Sequence, residues 1–211
     1  MSILAPDPPS PEGIRLSALA NYAGEPGQLI GVGFWPRALA RIIDFAVHYA
    51  ITFCAAVFFT VMLVVAAGGR PSPLVMARLQ HTTVTNFIVA LLGSLLYHII
   101  CEGVHGSTLG KLVLSMTVVQ EDGKPCRLWP AFIRSAGYLI DSLFFGLIGY
   151  TAMERSPQEQ RYGDEWAHTV VCKRDDVPLE SRRTVGRFFA AFLLAVMADS
   201  ALAMLGLAMK I

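Results

Sequence analysis

Four long apolar stretches run through this sequence, and every one of them carries an ionisable residue inside it. A helix needs about 20 apolar residues to cross the hydrocarbon of a bilayer. The first stretch, 38–67, exceeds that length, and 84–104, 131–153 and 188–209 approach or match it. Hydrophobic residues make up 54% of the chain and charged residues 16%, whereas a soluble domain carries about 25% charged residues. The expected fold is an all-α membrane protein: a small helical bundle with a short cytoplasmic β-hairpin and an extra C-terminal transmembrane helix. A net charge of +1 gives no ground for nucleic-acid binding.

The Pro-rich start, Pro6 to Gly13, reads as an extended tail within a segment 1–33. Trp35 and Phe34 stand where interfacial aromatics belong, and Pro36 suits a first helical turn. Gly68, Gly69, Pro71 and Pro73 end the first helix. Between Lys111 and Trp129 the texture becomes β-branched, with Asp122-Gly123 as a tight-turn signal, so a hairpin over 112–128 is expected. Thr169-Val170-Val171-Cys172 reads as one more strand. A membrane domain over 34–174, a basic linker at 175–187 and a last helix at 188–211 complete the layout. The four cysteines, Cys54, Cys101, Cys126 and Cys172, form no CxxC pair and read as structural.

Lys and Arg collect on the cytoplasmic side of membrane proteins. Arg37 and Arg41 precede the first span, Lys111, Lys124, Arg127 and Arg134 follow the second, and Arg182, Arg183 and Arg187 precede the last. Only Arg70 and Arg78 lie between the first two, and only Lys210 follows the last. A cytoplasmic N-terminus in the cell membrane follows, with both ends of 131–153 on one side. That stretch is then a re-entrant pair of half-helices broken near Gly146; the alternative is a full crossing. Re-entry is favoured because the strand at 169–172 needs the edge of the hairpin to pair with.

An Asp at a helix centre costs about 2.5–3.5 kcal/mol on insertion scales, so such residues face inward and pair. Arg37, Arg41 and Asp44 share one helix face, with His48 a turn further on. Arg37 and Asp44 lie about 10 Å apart along the axis, so Arg41 is the nearer partner. Arg134 and Asp141 repeat the spacing, and two such faces could pair crosswise. His98, Glu102 and His105 are spaced for one face of the second span. These residues read as a structural polar network or as a proton or cation path through Asp44, Glu102 and Asp141. Metal ligation is not expected, for want of a ligand spacing such as HExxH. Gly106-Ser-Thr-Leu-Gly-Lys111 reads as a tight turn with Lys111 at the headgroups. No catalytic arrangement emerges, so no enzyme activity and no cofactor are expected.

Taken in order, Arg37…Asp44, Tyr97…Glu102…Gly106 to Lys111, Arg134…Asp141, and Gln160-Arg161-Tyr162-Gly163-Asp164 leading into Thr169-Val170-Val171 resemble the RDD family of multi-pass membrane proteins. The family is named for one Arg and two Asp, which Arg37, Asp44 and Asp141 match. The resemblance implies Gly106, Lys111, Arg161 and Asp164 as a cytoplasmic motif, and a role in ligand or ion transport or within larger membrane assemblies. His168 departs from it, standing where a small residue is expected, and the last helix lies outside the usual core. The expected function is an accessory or scaffold subunit packing through intramembrane Arg and Asp groups. The alternative is an ion or small-solute transporter exchanging cations for protons. Expected partners are the lipid bilayer and a homo-oligomer or larger complex through helix 188–209, where Asp199 could contact another chain or the core.

Overall fold

A computed structural model describes residues 29–69, Pro73 and 83–208. The expected tail over 1–28 and the charges Arg70, Arg78 and Lys210 lie outside the described residues. The chain is mostly helical: α1 is Phe34–Ala66, α2 Thr83–Val104, α3 Leu109–Val113, α4 Leu128–Asp141, α5 Leu143–Arg155, α6 Tyr162–Trp166 and α7 Val185–Ala208. Two strands, β1 Met116–Gln120 and β2 Thr169–Lys173, form one antiparallel pair with Val118 opposite Val171. Helices at 34–66, 86–104 and 179–206 are long and apolar enough to cross a membrane.

Burial along α1 is the reverse of a soluble helix. Its buried positions are Arg37, Ala40, Asp44, His48 and Ala55. Its exposed face is Leu39, Ile42, Phe45, Tyr49, Phe53, Val57, Val61 and Val65. A continuous apolar face of that length belongs against hydrocarbon. The helix interior supplies the polar stripe instead, and the rest of the chain must satisfy it. The most extensive helix pair is α2 with α7, packed through Tyr97, Cys101 and Ala195. Helix α1 lies against α3 and α7, and α4 lies between α2 and α6. Gly137 of α4 faces Gly163 of α6 so closely that a Cβ at 137 would stand 2.5 Å from the Gly163 Cα.

The sheet is buried on both faces. Met116, Val118 and Val171 join Val32, Ala40, Cys126 and Ala131 on one side. Val119, Val170 and Cys172 join Leu29 and Val177 on the other. Burial pushes the Cys126 thiol up to about 11 and the Cys172 thiol up to about 12, so both stay protonated and act as small apolar groups. The expected hairpin over 112–128 is corrected. The Asp122-Gly123 turn forms, with Gly123 at φ 79, but the returning chain makes only an isolated bridge, Val119 to Pro125. Pro125 has no N–H to extend a ladder, and Leu112 and Val113 finish α3 instead. The strand that pairs with β1 is the distant β2.

The third apolar stretch is not one helix. α4 and α5 meet at 115°, across Phe144, Phe145 and Gly146 with φ values of 51, 60 and 87. Left-handed backbone at two bulky residues is strained. Both residues are exposed, Phe145 fully. The break sits beside Gly146, where the sequence places it.

His168 also adopts a left-handed conformation, φ 50, in the turn between α6 and β2. The backbone explains why a small residue is expected there: glycine takes that conformation without a Cβ clash. The exposed His168 ring lies 3.3 Å from Glu121, a contact of little value at a surface. His168→Gly is expected to stabilise the protein by about 1 kcal/mol, read as a raised unfolding midpoint in mild detergent; a lowered midpoint would show that the Glu121 contact outweighs the strain.

Candidate functional site

Asp44 is the first buried anion among the described residues, and its hydrogen-bond donors are backbone and hydroxyl groups. Thr108 precedes α3 and is its N-cap, its hydroxyl accepting from the Lys111 amide. The same hydroxyl donates to Asp44 Oδ2 at 2.6 Å, and the Gly110 amide donates to Oδ1 at 2.8 Å. Tyr97 donates its hydroxyl to Oδ1 at 3.1 Å while accepting the Leu109 amide at 3.1 Å. Asp44 therefore caps a helix N-terminus from across the bundle, where orphan amides and the helix dipole favour an anion. Gly110 permits this approach: a Cβ there would stand 3.0 Å from the Asp44 carboxyl carbon and collide with the Ala40 carbonyl.

A chain of ion pairs runs from Lys111 to Arg37. Lys111 is buried and pairs with Glu102 Oε1, and Arg134 Nε pairs with Glu102 Oε2 at 3.0 Å. Arg134 Nη1 then meets Asp164 Oδ1 at 3.0 Å and the Thr169 hydroxyl at 2.8 Å. Asp164 Oδ2 accepts from Arg37 Nη1 at 2.5 Å, and Oδ1 accepts from Arg161 Nη2 at 3.2 Å. Arg37 is held further by the carbonyls of Val32 at 2.6 Å and Glu159 at 2.8 Å. Burial by itself would raise the Asp164 carboxyl, but the guanidiniums of Arg134, Arg161 and Arg37 hold it well below the usual carboxylate range.

This geometry corrects three expectations and joins two groups of residues that the sequence sets apart. Arg37 and Arg134 do not cross-pair with Asp141 and Asp44. Helical side chains lean towards the N-terminus, so Arg37 reaches back to α6 while Asp44, two turns on, lies level with α3. Arg41 does not pair with Asp44; its guanidinium stacks 3.8 Å over the Tyr138 ring. The Gly106 to Lys111 segment is more than a headgroup turn: Gly106 turns at φ 95, α3 follows, and Lys111 points inward. Finally, the residues assigned to a cytoplasmic motif, Lys111, Arg161 and Asp164, belong to the same cluster as those assigned to the spans. Asp141 stands at its edge, accepting the Gly163 amide at 3.3 Å. Tyr138, Thr108 and Thr169 went unassigned in the sequence; for Thr108 a signal existed, a hydroxyl residue just before a helical turn.

The histidines split. His98 Nε2 lies 3.5 Å from Asp44 Oδ2. His105 turns away onto Phe188, rings 5.2 Å apart. His48 Nδ1 lies 2.9 Å from Asp199 Oδ2, and a Cβ at Gly93 would stand 3.0 Å from the His48 ring. Of the two contacts considered for Asp199, its carboxylate makes the one with the core. Among the described residues, no group of three or more His, Cys, Asp or Glu is placed to hold a metal ion.

A cavity of about 510 Å³ opens beside the cluster, between the start of α1 and the α4–α5 bend. Arg37, Arg41, Lys111, Arg134 and Arg161 line it, as do the carboxylates Asp44, Glu102 and Asp141. With Asp164 behind them, five cations face four carboxylates. Arg134 Nη2 and Arg41 Nε are buried without a hydrogen-bond partner, as is Asp141 Oδ1.

Breaking a buried ion pair by removing one partner costs about 3–5 kcal/mol. Asp164→Asn, which leaves three guanidiniums short of an anion, is expected to lose at least that much on denaturation in detergent. Asp141→Asn, with one long amide contact, is expected to lose about 1 kcal/mol. Equal losses would show that Asp164 is not the keystone.

No curated protein and no solved structure matches the chain. The model of the RDD family matches residues 32–168, a stretch that holds every ion pair of the inner cluster, stops just before β2 and leaves α7 outside. The chain belongs to the RDD family.

Proposed function

We propose that this RDD-family chain is a multi-pass membrane protein that binds a small anionic solute in the cavity beside its charged cluster, as a carrier or receptor for that solute. The observation that carries this reading is the imbalance at the cavity. Asp44 and Glu102 already accept from hydroxyls, an amide, an ammonium and a guanidinium. Arg134 and Arg41, in contrast, have donors left over. A cation entering here would meet neutralised carboxylates and surplus guanidinium; an anion would meet open donors.

The apolar outer face of α1 and the length of α1, α2 and α7 support placement in a bilayer. The pairing of β1 with β2 puts the two flanks of the α4–α5 pair at one end of the molecule. The 115° bend and this common end support re-entry over a full crossing. Lys124, Arg127, Arg174, Arg182 and Arg183 cluster near that end, which the positive-inside rule assigns to the cytoplasm, with the N-terminal segment at 29–33 beside them.

An accessory subunit that packs on partners through its Arg and Asp groups would present those groups outward. Here they turn inward, and a partner on α7 would meet apolar positions such as Phe189, Leu193 and Met197. Cation–proton exchange through Asp44 and Asp141 predicts proton movement in proteoliposomes given a Na⁺ or K⁺ gradient, lost in Asp44→Asn/Asp141→Asn. We expect no proton movement above lipid background in the wild type, and a rise in unfolding temperature when the purified protein is titrated with inorganic phosphate at constant ionic strength. Proton flux that vanishes in the double variant, or no response to phosphate, would overturn the anion reading.

A further inference from the structure

The cavity has two chemically different halves. Its inner wall is the cationic cluster, where Arg134 Nη2 is buried with no partner on a side chain that is 1% exposed. Arg41 adds a second open donor, Nε, with its guanidinium face already stacked on Tyr138. One unpartnered acceptor, Asp141 Oδ1, belongs to a residue that lines the same cavity. The outer wall is Ile42, Phe45 and Phe145. These three are 64%, 50% and fully exposed, so the cavity does not end in a closed apolar pocket. It opens sideways, through the apolar face that α1 and the α4–α5 bend present to the surroundings.

A free inorganic anion would satisfy the inner wall and leave the outer wall without use. Phe145 also lies in strained left-handed backbone, and it makes no stabilising contact in return for that strain. Resting on the anion reading above, we infer that the ligand is an anionic amphiphile: a phosphate-type headgroup that keeps one acidic hydrogen, joined to a hydrocarbon chain. The headgroup oxygens accept from Arg134 Nη2 and Arg41 Nε. The remaining hydroxyl donates to Asp141 Oδ1. The chain leaves between Phe45 and Phe145 into the apolar surroundings. A headgroup phosphate carries oxyanion and hydroxyl on one atom, which a carboxylate cannot do.

The cavity volume fits this division. About 510 Å³ exceeds what a phosphate alone would fill, and a ligand whose tail stays outside needs only the headgroup and its first carbons within. Substitution of Arg41 is the informative change, because Arg41 makes no ion pair in the cluster. Phe145 is the informative change for the tail, since its ring touches nothing else.

The test uses the full chain in nanodiscs of zwitterionic lipid, with unfolding temperature as the readout. Three probes are titrated below their micellar concentrations: inorganic phosphate, decyl phosphate and decylphosphocholine. Decyl phosphate is expected to stabilise the protein at concentrations at least about tenfold lower than inorganic phosphate, and decylphosphocholine is expected to give no comparable effect. Arg41→Gln is expected to weaken both phosphates by about tenfold. Phe145→Ser is expected to weaken decyl phosphate alone. Equal stabilisation by decylphosphocholine would overturn the inference, since the headgroup would not be read. Equal potency of inorganic and decyl phosphate would overturn the amphiphile while leaving the anion reading in place. No stabilisation by either phosphate would overturn both.

Discussion

The carboxylate of Asp164 draws α1, α4 and α6 to one buried point. It lies in a five-residue helix, fully buried, and receives guanidiniums from α1, from α4 and from its own N-cap. A buried carboxylate without compensation would be neutralised or driven out. With three cations around it, it stays charged and fixes the entry of α1, the start of the α4–α5 pair and the edge of the sheet at one point. Arg134 then passes the constraint on through Glu102 to Lys111, so α2 and α3 are fixed to the same point. Asp44 completes it by capping α3 from α1.

That arrangement makes sense of the inverted burial. A bundle whose outer faces are apolar draws little from hydrophobic burial between its helices when hydrocarbon surrounds it, since lipid tails are as apolar as the side chains. Specific association must then come from polar contacts and close packing. Both are present here: the ion-pair chain near one end, and the tight crossings at Gly137 with Gly163 and at Gly93 with the His48–Asp199 pair. Removing one charge is costly because the partners it leaves behind are buried with no water to replace it.

The sequence showed much of this and misled in instructive places. Helix positions followed from apolar length, and the break beside Gly146 from the glycines. The identity of the strand partner followed from arguing that Thr169 to Cys172 needs an edge. Pairing was harder to read. Arg37, Arg41 and Asp44 share a helix face, and spacing along one helix gave no sign that their partners lie on four different elements. Asp164 sits in a polar stretch that resembles a surface loop, so its burial was invisible until α4, α6 and β2 were placed together. The sequence alone places Lys111 at the headgroups, as the end of a tight turn. Its burial follows from Glu102, nine residues earlier, turning towards the same interior.

The cluster's imbalance bears on selectivity more than its size does. Coulomb attraction falls off weakly in a low-dielectric interior, so one surplus positive charge among nine groups biases the whole cavity. The carboxylates are occupied at both oxygens, Asp141 excepted, while the spare guanidinium donors at the cavity belong to Arg134 and Arg41. Guanidinium suits this role better than ammonium: it stays charged under all conditions, offers directed donors and can stack on an aromatic ring without losing them. Arg41 over Tyr138 shows that economy directly, with its plane held by the ring and its edge left for a ligand. Lysine at the same place would gain neither the stacking nor the fixed direction, and the site would then be a point charge in an apolar wall, with no means of telling one anion from another.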